Sequence, residues 1–467
     1  MRVLVAALTA AVLWLVAAVA ITWTALPSLR TDFYSSIPRD QIEVFQRSVA
    51  LKTAAGADWI HAGWIADPER EIYRVWLRSG DDAWRLVETA RYGSALLRDL
   101  HAGSDYEVRV EAVREGASRE IGTAIVRTTA AGSGVLEKPV IAGPWRELFR
   151  PSKAGDYVND HTVFRDASGR WRLLGITGPG RGDYGAEVRL AQGRAPDMAA
   201  AVGAETSADA AAAARPLGFG ELLASGGMVE DEAVADFHQP AWAPHVIGDA
   251  GGLFHLFWSP HRLAHAVSLD GAHWYRRADA IARPSGWFFR DTMVFEAAPG
   301  QWLLYATSRG WWYSAVDLYQ SFDLDHWQII GTAWQSARGS ERNALVSSAE
   351  SPFVVQRKGR YYLSITYNNE TGITAPLALA LGHWTGGADA YNDTLIFAST
   401  DPYDFGQWRG RGHDSQLVGE IQAHAAEFVH DGSDDSWYAT TCGWPLAATL
   451  TSGEVAAAAL RWEPAAR

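Results

Sequence analysis

A short apolar segment that opens with a polar or ionisable side chain recurs five times in this sequence, and few folds accommodate such a repeat. The five copies span residues 157–164, 242–247, 289–295, 349–355 and 424–429. A second apolar run follows each copy, commonly after a glycine turn, and several copies add a Ser-x-Asp turn with a tryptophan. Runs of this length and composition are typical of β-strands. About five units of four short strands predict an all-β fold, with a five-bladed β-propeller over residues 139–467.

The polar residues at the starts of these segments are predicted to meet at one place, because the innermost strand of each propeller blade lines the central axis. They are Asp160, His245, Asp291, Glu350, His424 and Glu427. One such residue alone is more simply explained as a group that binds backbone amides or water. Three carboxylates and a histidine in register favour a functional site. Crowded carboxylates repel one another, so at least one should have the raised pKa that a general acid needs.

Charge and aromatic content narrow the range of partners. The net charge of −13 argues against nucleic acid, because phosphate binding needs a basic face. Tryptophan is unusually abundant, with 22 residues. Trp242, Trp287 and Trp311 stand close to the predicted strand ends, where a tryptophan either stacks on a sugar ring or packs in the core.

The chain has a single cysteine, Cys442, which excludes an intrachain disulfide. We interpret it as a small buried strand residue rather than a nucleophile. The sequence has no cysteine or histidine spacing typical of a zinc site. We therefore predict no cofactor and assign no metal ligands.

The first 26 residues predict a membrane anchor. After Met1 and Arg2 the chain carries no charge as far as Leu26, about 24 residues, which is enough to cross a bilayer. A cleaved signal peptide is the alternative, because Ala18-Val19-Ala20 fits a cleavage site. The apolar run continues past that site, so we favour an uncleaved signal-anchor at residues 1–26 and a linker at residues 27–40. The bulk of the chain is then periplasmic or extracellular.

Residues 41–130 contain short strands in which apolar and polar residues alternate. The run from Tyr106 to Val113, after a turn at Gly103, resembles the late strands of a fibronectin type III domain, and residues 121–129 fit that family too. This resemblance implies a β-sandwich that serves as a spacer or docking module. Residues 130–134 are rich in alanine and glycine, and they predict a hinge before the repeats.

Three short motifs of the repeat region resemble those of the five-bladed propeller glycosidases of glycoside hydrolase families 32, 68 and 43. Asn159-Asp160 is similar to the Asn-Asp that opens the first blade of family 32. Arg290-Asp291 is similar to its Arg-Asp-Pro motif, and Glu350 with Pro352 to its Glu-x-Pro motif. The resemblance covers residues 139–467.

Other residues resemble family 43 or depart from both families. Trp242-Ala243-Pro244 is similar to family 43, as is His424, whose counterpart there lies near the axis with a bound ion or water. A structural Ca²⁺ near His424 is therefore left open. The sequence departs from family 32 at His161 and Thr292, where proline is expected, and from family 43 at His245, where an acid is usual.

The resemblance also implies roles for the three carboxylates. Asp160 would be the nucleophile of a retaining enzyme or the base of an inverting one, Glu350 would protonate the leaving oxygen, and Asp291 would stabilise the transition state. A carboxyl separation near ~5 Å implies retention, and one of ~6.5–9.5 Å implies inversion. The candidate substrate-binding residues are Asn159, Trp242, His245, Trp287, Arg290, Trp311, His424 and Glu427.

Two functions follow from these observations. The first is an exported, membrane-anchored glycoside hydrolase that cleaves a glycosidic bond in an oligo- or polysaccharide, with a furanosidic bond as one candidate. The second is a non-catalytic propeller that binds carbohydrate or assembles at a surface, which the departures at His245 and Thr292 favour. A transglycosylase stays open as a variant of the first. The sequence leaves the sugar and the oligomeric state undetermined.

Overall fold

The computed structural model describes most of the chain between residues 51 and 465. The described ranges are residues 51–67, 71–131, 135–179, 186–197, 215–234, 239–282, 284, 289–310, 313–336, 349–367, 393–408, 416–442 and 453–465. Within them the chain is all-β, with many antiparallel sheets and one short helix. No helix in these ranges is long and apolar enough to span a bilayer. The predicted anchor and linker, residues 1–40, lie outside the described residues, as do Trp287 and Trp311.

Two antiparallel sheets form the N-terminal unit, residues 51–131. One sheet has the order β1 (Lys52–Ala55), β2 (Ile60–Gly63) and β5 (Ser94–Leu97). The other has the order β4 (Arg85–Ala90), β3 (Ile72–Arg78), β6 (Asp105–Arg114) and β7 (Ala117–Arg127). Buried and partly exposed residues alternate along β6, so one face of the strand joins a core that includes Trp64 and Tyr73. The alternating strands that the sequence predicts here are confirmed.

The remaining strands form five sheets, called the first to fifth sheets below. The first contains β10 (Asp156–Arg165), β11 (Trp171–Pro179), β12 (Arg189–Arg194) and β13 (Val229–Val234). The second contains β14 (Trp242–Gly248), β15 (Phe254–Ser259), β16 (Ala264–Ser268) and β17 (Tyr275–Arg276). The third contains β18 (Arg290–Ala298), β19 (Gln301–Gly310), β20 (Tyr313–Ser321), β21 (Gln328–Ser336) and β25 (Gln407–Trp408). The fourth contains β22 (Ala349–Arg357), β23 (Arg360–Tyr367), β24 (Asp393–Ser399) and β26 (Leu417–Gln422).

The fifth sheet joins the two ends of the repeat region. It contains β27 (Phe428–Asp431), β28 (Ser436–Cys442), β29 (Val455–Pro464) and β8 (Glu137–Ile141), and β9 (Arg146–Phe149) also pairs with β29. The helix α1 (Phe219–Ala224) comes between β12 and β13. Because β8 precedes the first sheet in the chain, its pairing with β29 links the beginning of the region to its end.

The first strands of successive sheets contact one another in chain order. Strand β10 contacts β14, β14 contacts β18, and β18 contacts β22. Strand β10 also contacts β28 and β29 of the fifth sheet, so the last sheet adjoins the first. The described strands are therefore consistent with a propeller-like ring.

The Ser-x-Asp turns predicted by the sequence are confirmed. Ser268 Oγ accepts the Gly271 N–H at 2.8 Å, and Ser321 Oγ accepts the Leu324 N–H at 2.8 Å. Asp270 Oδ1 in turn accepts the His273 N–H at 2.9 Å. Short polar side chains thus satisfy the backbone of the turns that follow β16 and β20.

Polar contacts fasten the N-terminal unit to the third and fourth sheets. Gln328 Nε2 donates to the Trp64 carbonyl oxygen at 2.9 Å, in a buried position. Trp59 Nε1 donates to the Thr400 carbonyl oxygen at 2.7 Å, and Arg98 pairs with Asp401 at 2.9 Å. These contacts hold the unit against the repeats. Residues 132–134 of the predicted hinge lie outside the described residues.

His61 lies in this junction and makes its stability depend on pH. Its ring stacks on Tyr403 with centroids 4.0 Å apart, and its Nε2 lies 2.9 Å from Ser94 Oγ. Burial lowers the pKa of His61 to about 3. In the unfolded chain a histidine has a pKa near ~6.5. The neutral ring therefore contributes stability above pH ~6.5, and this contribution is lost as the pH falls towards 3.

We expect His61→Gln to lower the free energy of unfolding by less at pH 5 than at pH 7.5, with a difference of ~2 kcal/mol. The reason is that protonation of His61 in the unfolded chain destabilises the wild type at pH 5, whereas the variant has no such group. Urea unfolding at the two pH values measures the difference. His273→Gln is the control, since the ion pair with Asp270 raises the pKa of this exposed histidine and predicts the opposite sign. An equal cost of His61→Gln at both pH values would contradict the prediction.

Candidate active site

A β-bulge interrupts the first strand of each of the first four sheets, close to its start. The pairing register shifts between Asn159 and His161, between Trp242 and His245, between Arg290 and Thr292, and between Glu350 and Phe353. In the last three bulges one non-glycine residue has positive φ: 44° at Ala243, 50° at Asp291 and 48° at Ser351. Ala425, just before β27, has φ 47°. Such a residue leaves the regular alternation of the strand and re-aims the side chains beside it.

The bulges correct the register that the sequence predicts. Asp160 and Asp291 occupy bulges, whereas Glu350 stands one residue before its bulge residue. His245 and Glu427 each stand two residues beyond the positive-φ residue of their own segment. These side chains therefore occupy different positions relative to the bulges, because an inserted residue changes which side chains share a level.

Arg290 brings two of the predicted catalytic carboxylates together. Its Nη1 donates to Asp291 Oδ2 at 2.7 Å, and its Nη2 donates to Glu350 Oε1 at 2.7 Å. Asp291 and Glu350 are both buried, with exposed fractions of 2% and 8%. A guanidinium presents its donors in a rigid plane, so it fixes the relative position of the two carboxylates. The sequence indicated that Arg290 adjoins Asp291, but it gave no sign of the bond to Glu350.

Ser351 connects Asp160 to the same cluster. Its Oγ donates to Asp160 Oδ1 at 3.1 Å, and its backbone N–H donates to Asp291 Oδ2 at 3.4 Å. On the other side, His424 Nε2 lies 3.8 Å from Asp160 Oδ1. The structure thus joins Asp160, Asp291 and Glu350 in one network. Sequence reasoning missed Ser351, for which the only signal was its place between Glu350 and Pro352.

Burial and mutual repulsion perturb the carboxyl groups of this network. Burial, and then the negative charges of Asp291 and Glu350, raise the pKa of Asp160 well above its usual range. Burial raises the pKa of Asp291 to about 6, although the charge of Arg290 opposes the shift. One guanidinium faces three carboxylates, so their mutual repulsion favours a protonated carboxyl group in the cluster.

His245 and Glu427 lie on a small cavity next to the cluster. The cavity has a volume of about 30 Å³, and Asp160, Asp291 and Thr292 also line it. This volume suits one water molecule rather than a sugar ring. His245 Nε2 donates to the Val294 carbonyl oxygen at 2.9 Å, and burial lowers the pKa of His245 to about 4. The described contact of His245 is thus to the backbone of the third sheet.

Glu427 has a similar position at the junction of the fifth and first sheets. Its Oε2 accepts the Val163 N–H at 3.1 Å. Burial raises the pKa of Glu427 well above its usual range, and the charge of Asp160 adds to the shift. A protonated Glu427 would satisfy the neighbouring strand without adding a further negative charge to the cluster.

Asn159 and Trp242 complete the described candidates for substrate binding. Asn159 is buried, and its Oδ1 accepts a hydrogen bond from Cys442 Sγ at 3.3 Å. Trp242 is half-buried at the start of β14, and its carbonyl oxygen accepts from Ser259 Oγ at 3.5 Å. Each residue immediately precedes the irregularity in its strand, as Arg290 and Glu350 do. This shared position is the structural case for treating them as part of one site.

The Ca²⁺ that the family resemblance leaves open near His424 stays a prediction. Ca²⁺ takes about six to eight oxygen ligands in proteins. The described histidine, cysteine and carboxylate groups that converge there are the imidazole of His424, the carboxylate of Asp160 and the thiol of Cys442. One carboxylate with a nitrogen and a sulfur donor suits a borderline metal better than a hard cation.

We expect Arg290→Met to lower the unfolding free energy by ~3–5 kcal/mol at pH 7.5, because it leaves two buried carboxylates without their cation. The loss should shrink at pH 5. Removing the guanidinium raises the pKa of Asp291 further, so at pH 5 the folded variant holds Asp291 in its protonated form, which needs no counter-ion. Urea unfolding of the variant at both pH values measures the effect.

Two comparisons test the cause of this loss. Adding Asp291→Asn to Arg290→Met should restore part of the stability, since it removes one of the uncompensated charges. Arg127→Met breaks an exposed pair with Asp105, and its cost should stay within ~1 kcal/mol. A loss that neither Asp291→Asn nor a lower pH reduces would show that Arg290 acts by packing alone.

No protein-family model matches this sequence, and no curated protein matches it. Solved structures that are similar to the chain include members of glycoside hydrolase families 32 and 43. The Bombyx mori family 32 β-fructofuranosidase has a TM-score of 0.42 and 11% identity, and the match covers 69% of this chain and 62% of that one. A family 43 enzyme from Xanthomonas citri complexed with xylotriose has a TM-score of 0.42 and 12% identity, over 67% of this chain and 90% of that one. Fructan 1-exohydrolase IIa from Cichorium intybus has a TM-score of 0.43 and 11% identity, over 63% and 52%. The chain thus spans less than two thirds of the two fructosidases it matches.

Proposed function

We propose that this protein is a glycoside hydrolase whose active site is built on Asp160, Asp291 and Glu350. The observation that supports the proposal most is the buried cluster itself. Its carboxylates come from the first, third and fourth sheets, and they are joined through Arg290 and Ser351. Burying three acids at one point is unfavourable for folding, so a catalytic use explains their presence better than a structural one.

The proposed roles are those that the family resemblance implies for each acid. Glu350 protonates the leaving oxygen, and Asp160 either attacks the anomeric carbon or activates the water that does so. Asp291, held by Arg290, places negative charge beside the oxocarbenium-like transition state. Ser351 orients Asp160 through its hydroxyl group. A transglycosylase would use the same acids with a sugar in place of water.

The wider architecture is proposed on the same basis. Residues 139–467 form a five-bladed β-propeller, in which the pairing of β8 with β29 closes the ring. Residues 41–130 form a fibronectin type III-like sandwich that packs on the third and fourth sheets. Residues 1–26 anchor the protein in a membrane, so that the catalytic region faces the periplasm or the exterior.

The proposed substrate is an oligo- or polysaccharide, with Trp242 as a stacking platform at the edge of the site. Sucrose and xylotriose are suitable first probes, because they appear in the complexes of two similar structures. The experiment is to incubate the purified protein with a panel of oligosaccharides and aryl glycosides and to measure the sugar released. Turnover that disappears in Asp160→Asn and in Glu350→Gln supports the proposal. Binding of a glycan without turnover, unaffected by either substitution, would favour a non-catalytic carbohydrate-binding propeller.

A further inference from the structure

Asp160, His424 and Cys442 form a compact set of metal-ligating side chains at the edge of the carboxylate cluster. A carboxylate oxygen, a ring nitrogen and the thiol sulfur all lie within 4.8 Å of one another. The three residues are 8%, 1% and 1% exposed. Asp160 belongs to β10 of the first sheet, whereas Cys442 ends β28 of the fifth sheet and His424 precedes β27. The set therefore spans the joint at which the last sheet meets the first.

The chemistry of these donors points to a particular class of cation. Thiolate and imidazole ligands suit Zn²⁺ and similar borderline or soft metals, whereas Ca²⁺ and Mg²⁺ prefer oxygen. Tetrahedral Zn²⁺ binds sulfur, nitrogen and oxygen at about 2.0–2.3 Å, which places neighbouring donor atoms roughly 3.3–3.7 Å apart. His424 Nε2 and Asp160 Oδ1 are 3.8 Å apart, close to that spacing. Small side-chain movements would therefore bring the three donors to one ion.

We propose that Asp160, His424 and Cys442 bind one thiophilic divalent cation of the Zn²⁺ class, with a fourth position open to water. Three protein ligands and one open position are a common arrangement for zinc. The chain contains one cysteine, so the site has no competitor for a thiolate-preferring metal elsewhere in the protein.

Metal binding at this site is expected to raise the stability of the folded chain and to lower its hydrolytic activity. The metal links the first and fifth sheets, so it stabilises the folded chain. It also occupies the carboxylate oxygen of Asp160, so it inhibits hydrolysis; this second consequence rests on the proposed function. At a Zn²⁺ concentration about 100 times the dissociation constant, about 99% of the protein carries the metal, and turnover should fall ~100-fold.

Titration of the metal-free protein with Co²⁺ tests the site directly. Because Cys442 is the single cysteine, any thiolate-to-cobalt charge-transfer absorption must come from it. We expect this absorption to saturate at one Co²⁺ per chain, to disappear when Zn²⁺ is added, and to persist in excess Ca²⁺. Zn²⁺ should also raise the Tm of the wild type.

Substitutions at each ligand separate the proposed site from a thiol that binds metal alone. Cys442→Ser should abolish the absorption and the Tm increase, and Cys442→Ala serves if the buried hydroxyl disturbs the fold. His424→Gln and Asp160→Asn should each weaken Co²⁺ binding at least ~10-fold. His430→Gln, at an exposed histidine of β27 that pairs with Asp435, should change nothing. No charge-transfer absorption, or an absorption that is unchanged in His424→Gln and Asp160→Asn, would overturn the proposal.

The same experiments distinguish failure of the metal-site proposal from failure of the hydrolase proposal. If the metal site is wrong and the hydrolase is right, the protein turns over glycosides with or without Zn²⁺ and shows no cobalt absorption. If the hydrolase is wrong and the metal site is right, the cobalt absorption and the Tm increase are present in a protein that cleaves no glycoside.

Discussion

Asp160→Asn is expected to lower kcat for glycoside hydrolysis by at least ~10³-fold while leaving the protein folded. An amide of the same shape neither attacks the anomeric carbon nor accepts a proton from water, so the step that Asp160 carries is lost. The free energy of unfolding at pH 7 should stay the same or rise. The raised pKa of Asp160 means that its ionised form opposes folding, and the neutral amide removes that penalty.

The measurement combines initial rates with urea unfolding of the same preparations. Asp156→Asn is the matched control, because Asp156 stands four residues earlier on the same strand and pairs with Lys153 outside the cluster. Its activity should stay close to that of the wild type. The anomeric configuration of the first product then assigns the role of Asp160: retention identifies a nucleophile, and inversion identifies a base. Wild-type rates in a stable Asp160→Asn variant would remove Asp160 from the mechanism.

Asp160 is a buried carboxyl group with a raised pKa, and it lies in a β-bulge. A carboxylate that costs stability is tolerated only where surrounding structure holds it in place. Asp160 is held by Ser351, and Asp291 is held by Arg290 and by the hydrogen bond that its backbone N–H donates to Ser259 Oγ at 3.0 Å. The Ser351–Asp160 contact joins the fourth and first sheets, and the Ser259–Asp291 contact joins the second and third, so the site depends on four sheets.

The repeated apolar segments that open with a polar side chain predicted strands in the repeat region, residues 139–467. Apolar runs and glycine turns mark the strand pairs because burial and turn geometry act locally on the sequence. Each of the first four predicted segments coincides with the first strand of a described sheet. The fifth differs, since β27 begins at Phe428 rather than at His424.

The sequence could not predict the bulges, and with them the details of the site. Ala243, Asp291 and Ser351 adopt positive φ although none is glycine, so composition gives no signal for it. Because of the bulges, Glu350 stands before the register shift in β22, whereas His245 stands after the register shift in β14. Arg290 and Ser351 owe their roles to contacts between sheets, with partners 60 and 191 residues away in the chain. Such contacts depend on the packing of the ring, which local patterns do not encode.

Cys442 shows how a correct interpretation was nevertheless incomplete. The sequence predicts a buried strand residue, and the structure places Cys442 at the end of β28 with 1% exposure. What the sequence could not show is that the sulfur lies near His424 and Asp160, because these residues stand 18 and 282 positions earlier. Spacing rules for zinc sites recognise ligands that are close in sequence. Residues that the fold brings together from distant parts of the sequence escape them.

Glu350→Gln is expected to lower kcat/KM by about 10²–10⁴-fold for substrates with a sugar leaving group, and by less than ~10-fold for a glycoside of an acidic phenol. A sugar alkoxide leaves only if it is protonated as the bond breaks, whereas an acidic phenolate leaves without help. Glutamine preserves the shape of the side chain and the bond to Arg290, so the geometry of Asp291 should survive. The loss is thus confined to proton transfer.

The test is a comparison of leaving groups in the wild type, Glu350→Gln and Glu296→Gln. Glu296 stands on the exposed outer part of β18, where it accepts the Gly300 N–H at 3.1 Å, and its substitution should leave both classes of substrate unaffected. Equal losses for both leaving groups would show that Glu350 positions the substrate and that another group of the cluster supplies the proton.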